Sequence, residues 1–245
     1  MVALLGMVTS HAARAADDQW QFGLTPYLWL PSVDARLGFE LPGSGGSGAE
    51  ATNLLEHLEA ALFLNATATR GAWGLSADLV YCDFGKSSSE LTNVSGAATT
   101  TGLTGSMVSL LGSHALKRSS NSSFDLLAGV RYTHISATLD WSFAPGPGYT
   151  GSSGSSGITT DLWDGVVGIR GRFVPAGSAW FVPMYLDAGT GTSKFTWQGM
   201  VGVGYAFNWG DLLAIYRVLE FEEDDTASVQ HLGFSGPAIG ATFHF

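Results

Sequence analysis

Phe195-Thr196-Trp197-Gln198-Gly199-Met200-Val201-Gly202-Val203-Gly204-Tyr205-Ala206-Phe207 reads with a period of two. Phe195, Trp197, Gly199, Val201, Val203, Tyr205 and Phe207 fall on one side. Thr196, Gln198, Met200, Gly202, Gly204 and Ala206 fall on the other. Successive side chains of a strand point to opposite faces, so this is a strand with one bulky apolar face and one small or polar face. A soluble barrel puts its bulky face inward. The reverse arrangement, with apolar side chains toward lipid and small or polar ones toward a filled lumen, belongs to a transmembrane barrel.

Working outward from this stretch, the same alternation recurs along nearly the whole chain. Only 53–64 is ambiguous between strand and helix. Turn chemistry divides the chain into ten predicted strands, at 20–39 (bent by Pro26 and Pro31), 55–69, 73–84, 103–116, 124–143, 158–173, 180–188, 194–207, 211–221 and 230–245. Gly/Ser-rich loops are expected at 42–50, 85–100 and 144–157, each after an odd-numbered strand. Tight turns such as Arg70-Gly71-Ala72 and Asn208-Trp209-Gly210 follow even-numbered ones. This alternation fits long loops outside the cell and short turns in the periplasm. The fold expected is an all-β, antiparallel, up-and-down transmembrane barrel of ten strands. Eight or twelve are the alternatives if the first strand splits or two segments are mispaired.

The composition agrees. Charged residues are 13 % of 245, about half the roughly 25 % of soluble proteins, and glycine is abundant at 33 residues. No segment reaches the ~18 apolar residues of a membrane helix. Cys82 is the single cysteine, which excludes an internal disulfide and a thiolate metal cluster. A net charge of −10 argues against a nucleic-acid binder. Residues 1–15 read as a Sec-type signal peptide without its basic start. Ala13-Arg14-Ala15 is an A-x-A-like cleavage site, and 16–245 would form a single barrel domain. Loss of Arg14 takes the net charge from −10 to −11.

Aromatic residues cluster beside the predicted turns, where an interfacial belt belongs. Trp20, Trp73, Trp180, Phe207, Trp209 and Phe245 are expected at the periplasmic edge. Tyr81, Trp141, Trp163 and Phe195 are expected toward the outer one, and Trp197 and Tyr205 are also assigned to the girdle. The chain stops on Phe245, and Ile239, Ala241, Phe243 and Phe245 alternate with Gly240, Thr242 and His244. A last strand of this kind looks like the assembly signal that the barrel-insertion machinery reads by strand addition.

The stretches 25–31, 78–85, 161–165, 196–207 and 236–245 resemble a family of Gram-negative outer-membrane barrels of unassigned activity, small porin-like or OmpA-type barrels. The resemblance implies the fold and an outer-membrane location and carries over no catalytic residue. Cys82 and Lys86 depart from the pattern.

Alternation places Glu59, Asp78, Asp125, Asp164, Asp187 and Asp211 in the lumen together with Arg131, Arg170, Arg172 and Arg217. An arginine on the lipid face would cost about 2–4 kcal/mol at the midplane, which favours the inward assignment. The expected function is that of a structural scaffold or a narrow, cation-favouring channel with a charged lumen. The alternative is a surface binding or adhesion protein acting through the loops 42–53, 85–100 and 144–157. A rim enzyme would need an oriented base. His57, His134 and His231 are the candidates, with Asp140 or Asp224 as orienting carboxylates, but their spacing does not demand catalysis. The expectation is therefore no enzyme, no cofactor and no metal. Glu222-Glu223-Asp224-Asp225 lacks calcium-loop spacing and reads as a solvated loop. Expected partners are outer-membrane lipid, lipopolysaccharide and the assembly machinery; the sequence leaves the oligomeric state open and favours a monomer.

Overall fold

The computed structural model describes residues 19–37, 58–90, 97–145, 150–223 and 229–245. The predicted signal peptide and the loop expected at 42–50 lie outside them. The described chain is all β. Its strands are β1 (Gln21–Trp29), β2 (Ser32–Leu37), β3 (Leu58–Arg70), β4 (Trp73–Glu90), β5 (Ala97–Arg118), β6 (Ser122–Phe143), β7 (Ser152–Phe173), β8 (Trp180–Gly191), β9 (Phe195–Ala206), β10 (Gly210–Glu222) and β11 (Val229–His244). Each pairs antiparallel with its neighbour, and β1 closes the ring on β11 through Gly23↔His244 to Trp29↔Ala238. β2 continues along the same β11, from Ser32↔Ser235 to Leu37↔Val229. β1 and β2 are thus one stave broken at Leu30-Pro31, and the barrel has ten staves, as expected.

Short turns close the periplasmic end. Gly71 takes a positive φ of 57° between β3 and β4, a conformation glycine adopts without steric cost. Phe207 N donates to Gly210 O at 2.7 Å across the two-residue turn before β10.

The outer end differs from the sequence expectation in extent. β4, β5 and β7 run well into the loops predicted at 85–100 and 144–157. Ser88↔Thr100 and Ser89↔Thr99 still pair, and so do Asp140↔Ser155 and Ser142↔Ser153. Serine, threonine and glycine read as loop by composition. Threonine is nevertheless a good strand residue, and hydroxyl pairs hold a ladder together. β5, β6 and β7 each reach 22 residues. At ~3.3 Å per residue and a tilt of ~40° they rise about 55 Å, roughly twice the ~25 Å apolar band.

Two ladders stop early. β1 pairs with β3 only from Gln21↔Thr69 to Pro26↔Leu64. Pro26 and Pro31 carry no N–H to continue that edge. β7 pairs with β8 only up to Asp164↔Gly191, where β8 ends. Beyond these points the described residues of the wall form one arc of β3–β7 and another of β9–β11 with β2.

Candidate functional site

The lumen is the site that the sequence singles out, and its character changes along the barrel. On β6, Leu126 and Val130 face out, about half exposed, while Asp125, Leu127 and Arg131 are buried inside. Past Tyr132 the pattern inverts. His134 and Thr138 are exposed outside, and Thr133 and Ile135 are buried inside. On β6 the lower part has the membrane arrangement and the upper part the soluble one.

The upper lumen is accordingly filled by an apolar core. Phe63, Val80, Cys82, Phe84, Met107, Ile135 and Leu162 from one arc meet Trp29, Leu219, Phe221, Leu232 and Ala238 from the other. This core corrects the expectation of a lumen set by charge and small residues alone. A strand inside a soluble-type barrel buries its inward side chains, and the period-two pattern does not reveal where inside and outside exchange hydrophobicity.

Beneath the core lies a layer of buried charge. Arg217 donates to Asp78 Oδ2 at 2.9 Å, to Gln198 Oε1 at 2.7 Å and to the Tyr27 hydroxyl at 2.7 Å. The Tyr27 hydroxyl in turn donates to Asp78 Oδ1 at 3.0 Å, and the guanidinium sits 4.7 Å from the Trp29 ring centre. Arg131, fully buried, donates to Asp187 at 2.5 Å, to Ser109 at 3.3 Å and to Thr196 at 3.3 Å. Tyr185 also donates to Asp187. A buried ion pair of this kind needs its remaining donors and acceptors satisfied, and these hydroxyls and amides satisfy most of them, leaving Arg217 Nε and Asp187 Oδ1 without a hydrogen-bond partner.

A second charged layer lies nearer the periplasm. Arg170 binds Asp125 at 2.8 and 3.3 Å, and Arg118 adds a contact at 3.5 Å. Arg172 grips Asp211 with both terminal nitrogens, at 2.6 and 3.4 Å, and stacks 3.3 Å from the Phe181 ring centre. His244 lies 3.3 Å from the same carboxylate. Between the two layers is a cavity of about 360 Å³. The alternation expected partners on neighbouring strands, and Asp125 with Arg170 is such a pair. Arg118 with Asp125 is another, from β5 to β6, while Arg217–Asp78, Arg172–Asp211 and Arg131–Asp187 reach past their neighbours, from β10 to β4, from β7 to β10 and from β6 to β8.

Two predicted lumen residues stand apart. Asp164 is buried near the outer end of the β7–β8 ladder and accepts the Ser193 N–H at 3.0 Å; Arg131 stands opposite it on β6 but pairs with Asp187 instead. Glu59 is exposed, beside a register irregularity between Leu58 and Ala60. That bulge ends the regular inward alternation, so Glu59 is not part of the lumen network. Tyr27, Trp29, Gln198, Thr196, Tyr185 and Arg118 belong to the site without having been singled out. The inward parity of the five neutral residues is readable, but neutral side chains carry no charge penalty to point them out, whereas Arg118 turns inward only because of the register irregularity between Ala115 and Lys117, which period-two reading does not show.

On the exterior, Trp180, Tyr205, Phe207, Trp209 and Phe243 form a run of ring contacts 4.7–5.5 Å apart at the periplasmic edge. Trp20 lies on Phe22 and Trp73 on His114 at the same end. At the other edge Tyr132 meets Trp163 at 4.6 Å, and the Trp197 indole donates to Glu220 at 2.9 Å. Tyr81 is half-buried, and Phe195 is exposed. Trp141 is not in this belt. It lies nine residues past Tyr132, where its ring covers Gly154 so closely that a Cβ there would come within 2.2 Å. Just above the outer belt, His134 Nδ1 lies 2.8 Å from Asp161 and the Tyr132 hydroxyl donates to the same oxygen at 2.7 Å. These contacts, His134 first, hold the Asp161 carboxyl below its usual range. Asp161 is thus the carboxylate beside His134, in place of the expected Asp140, which accepts from Ser155. Ile239 and Phe243 face outward, and Phe245 exchanges two backbone hydrogen bonds with Phe22.

No family model matches the chain, and no curated protein does. Among solved structures, the outer membrane protease OmpT of Escherichia coli superposes with a TM-score of 0.53 at 9 % identity, covering 93 % of this chain and 94 % of its own. Ail, the attachment invasion locus protein of Yersinia pestis, gives 0.36 at 10 % identity, over 92 % of this chain and 99 % of its own. The toluene transporter TodX of Pseudomonas putida gives 0.30 at 11 % identity, over 92 % and 88 %. At such identities the likeness to OmpT speaks for the fold and not for activity. Ten antiparallel staves, an apolar exterior band edged by aromatics and a closed ring give this chain the fold of the bacterial outer-membrane β-barrels.

Proposed function

We propose that the protein is a closed outer-membrane scaffold that holds a β-sheet extension above the membrane and neither conducts ions nor catalyses a reaction. One observation carries this reading: the lumen is occluded twice in series. The apolar core around Trp29, Phe84 and Phe221 lies over a layer in which Arg131 and Arg217 are pinned by Asp187 and Asp78. An ion crossing it would have to displace both paired guanidiniums and enter a space lined by phenylalanine and leucine. The extension of β4–β7 supports a surface role, since it exceeds what spanning requires. His134 and Asp161 lie on the outside wall, at headgroup height, where lipopolysaccharide would surround them.

Planar-bilayer recording of the refolded protein tests the proposal. A silent barrel that still shows the folded, heat-modifiable band on a gel is the expected result. Discrete conductance steps would replace the scaffold by a channel. We further propose that the outward alternation of Ile239, Ala241, Phe243 and Phe245 is read during insertion. Deleting Phe245 is expected to lower the outer-membrane yield while leaving detergent refolding intact.

A further inference from the structure

We propose that the periplasm-facing half of the barrel is a binding site for a small organic anion with an apolar body. The cavity of about 360 Å³ is within the size range of small-molecule pockets. Its ceiling is the Arg217–Asp78 layer, so it opens toward the periplasm. Its walls are unlike one another. Phe181, Leu213 and Ile215 line one side, and Thr25, Thr67 and Ser76 line the other. A flat apolar body fits against the first, and hydroxyls on the second satisfy its polar edge.

The mouth supplies the charge preference. Asp125 and Asp211 are nearly buried, with side chains 11 % and 8 % exposed. The arginines that cover them are far more open, Arg118 at 51 %, Arg170 at 31 % and Arg172 at 37 %. A ligand arriving from the periplasm therefore meets guanidinium edges before carboxylates. Three arginines against two aspartates leave a positive balance, and Arg70 and Lys117 lie at the same end of the barrel. Among the described residues this is where basic side chains concentrate, in a chain whose net charge is −10. A guanidinium stacked on Phe181 combines both preferences at one point, a cation beside an apolar face. Occupancy of this cavity is independent of whether the upper lumen conducts.

The test is titration calorimetry on the full chain in phosphatidylcholine nanodiscs. The probe is naphthalene-2-sulfonate, compared with the uncharged 2-naphthalenemethanol. One saturable site per barrel is expected for the sulfonate, with at least tenfold weaker binding of the alcohol. R118Q together with R170Q should weaken sulfonate binding by tenfold or more. Leu213→Trp, placed between Gly204 and Gly240 on the flanking strands, should abolish it. Thr67→Trp on the opposite wall is the second filling variant if the first does not fold. Equal binding of the two probes, or binding undiminished by both filling variants, would overturn the proposal. So would the lack of any saturable signal at millimolar probe.

Discussion

Arg217 shows at the scale of one residue how the lumen is held. Its guanidinium is buried and bonded to Asp78, Gln198 and Tyr27. Removing one partner of such a pair leaves a buried charge without compensation, which costs about 3–5 kcal/mol. Arg217→Met should lower the stability of the refolded barrel by that amount in a denaturant titration. Arg217→Met combined with Asp78→Leu should recover most of it, because an apolar pair of similar volume replaces the ionic one. Asp161 gives a second prediction, on the exterior. Its carboxyl is held below the usual range by His134 and Tyr132. A group depressed in the folded state favours that state above its unfolded pKa and loses the advantage as pH falls through the folded value. The Asp161 contacts should therefore persist at mildly acidic pH and break only below the ordinary carboxylate range. Carbon-detected NMR titration of the Asp161 carboxyl reads this directly, and a midpoint at the ordinary aspartate value would contradict it.

The Trp163 carbonyl accepts the Thr192 N–H, so the odd-numbered backbone groups of β7 point toward β8. Above Asp164 there is no β8 ladder, and the odd-numbered groups of 153–161 lie on an open edge. The even-numbered groups point to β6. Ser156→Pro should thus break the β6 ladder and expose the extension to proteolysis, whereas Thr159→Pro should leave it resistant. The reverse order of sensitivity would refute the register. The same element shows where sequence reading ran short. Its lower part, from Trp163 to Phe173, alternates apolar and polar and was legible. Its upper part, Ser-Ser-Gly-Ser-Ser-Gly at 152–157, has no hydrophobic pattern, and only pairing with β6 makes it strand. The charged residues of the site were legible because lipid forbids them on the outside. Trp29 and Phe84 were not recognised as a plug, because an inward aromatic and a belt aromatic look alike until the height of each along the stave is known.

For the molecule as a whole, the ten staves and their order follow from turn spacing, since consecutive antiparallel strands need only short connections. The plug follows from the exchange of inner and outer hydrophobicity above Tyr132. Its cost of removal belongs to this scale, because Phe84→Ala would open a void between the two arcs. A loss of about 3–5 kcal/mol is expected in the same denaturant titration, with the conductance still silent because the Arg131–Arg217 layer remains. The two early-ending ladders have a mechanical consequence. At the periplasmic end every stave is bonded on both sides, so any change of girth must break hydrogen bonds. Among the described residues the collar at the outer end is split twice, between β2 and β3 and above Asp164 beside β7. There the circumference is free to breathe by shearing apolar side chains past one another. Spin labels placed across the first split should give a broader distance distribution than a pair across β3 and β4 at Arg70 and Trp73, making the barrel stiff as a ring where it is anchored and compliant as a clasp where it meets the outside.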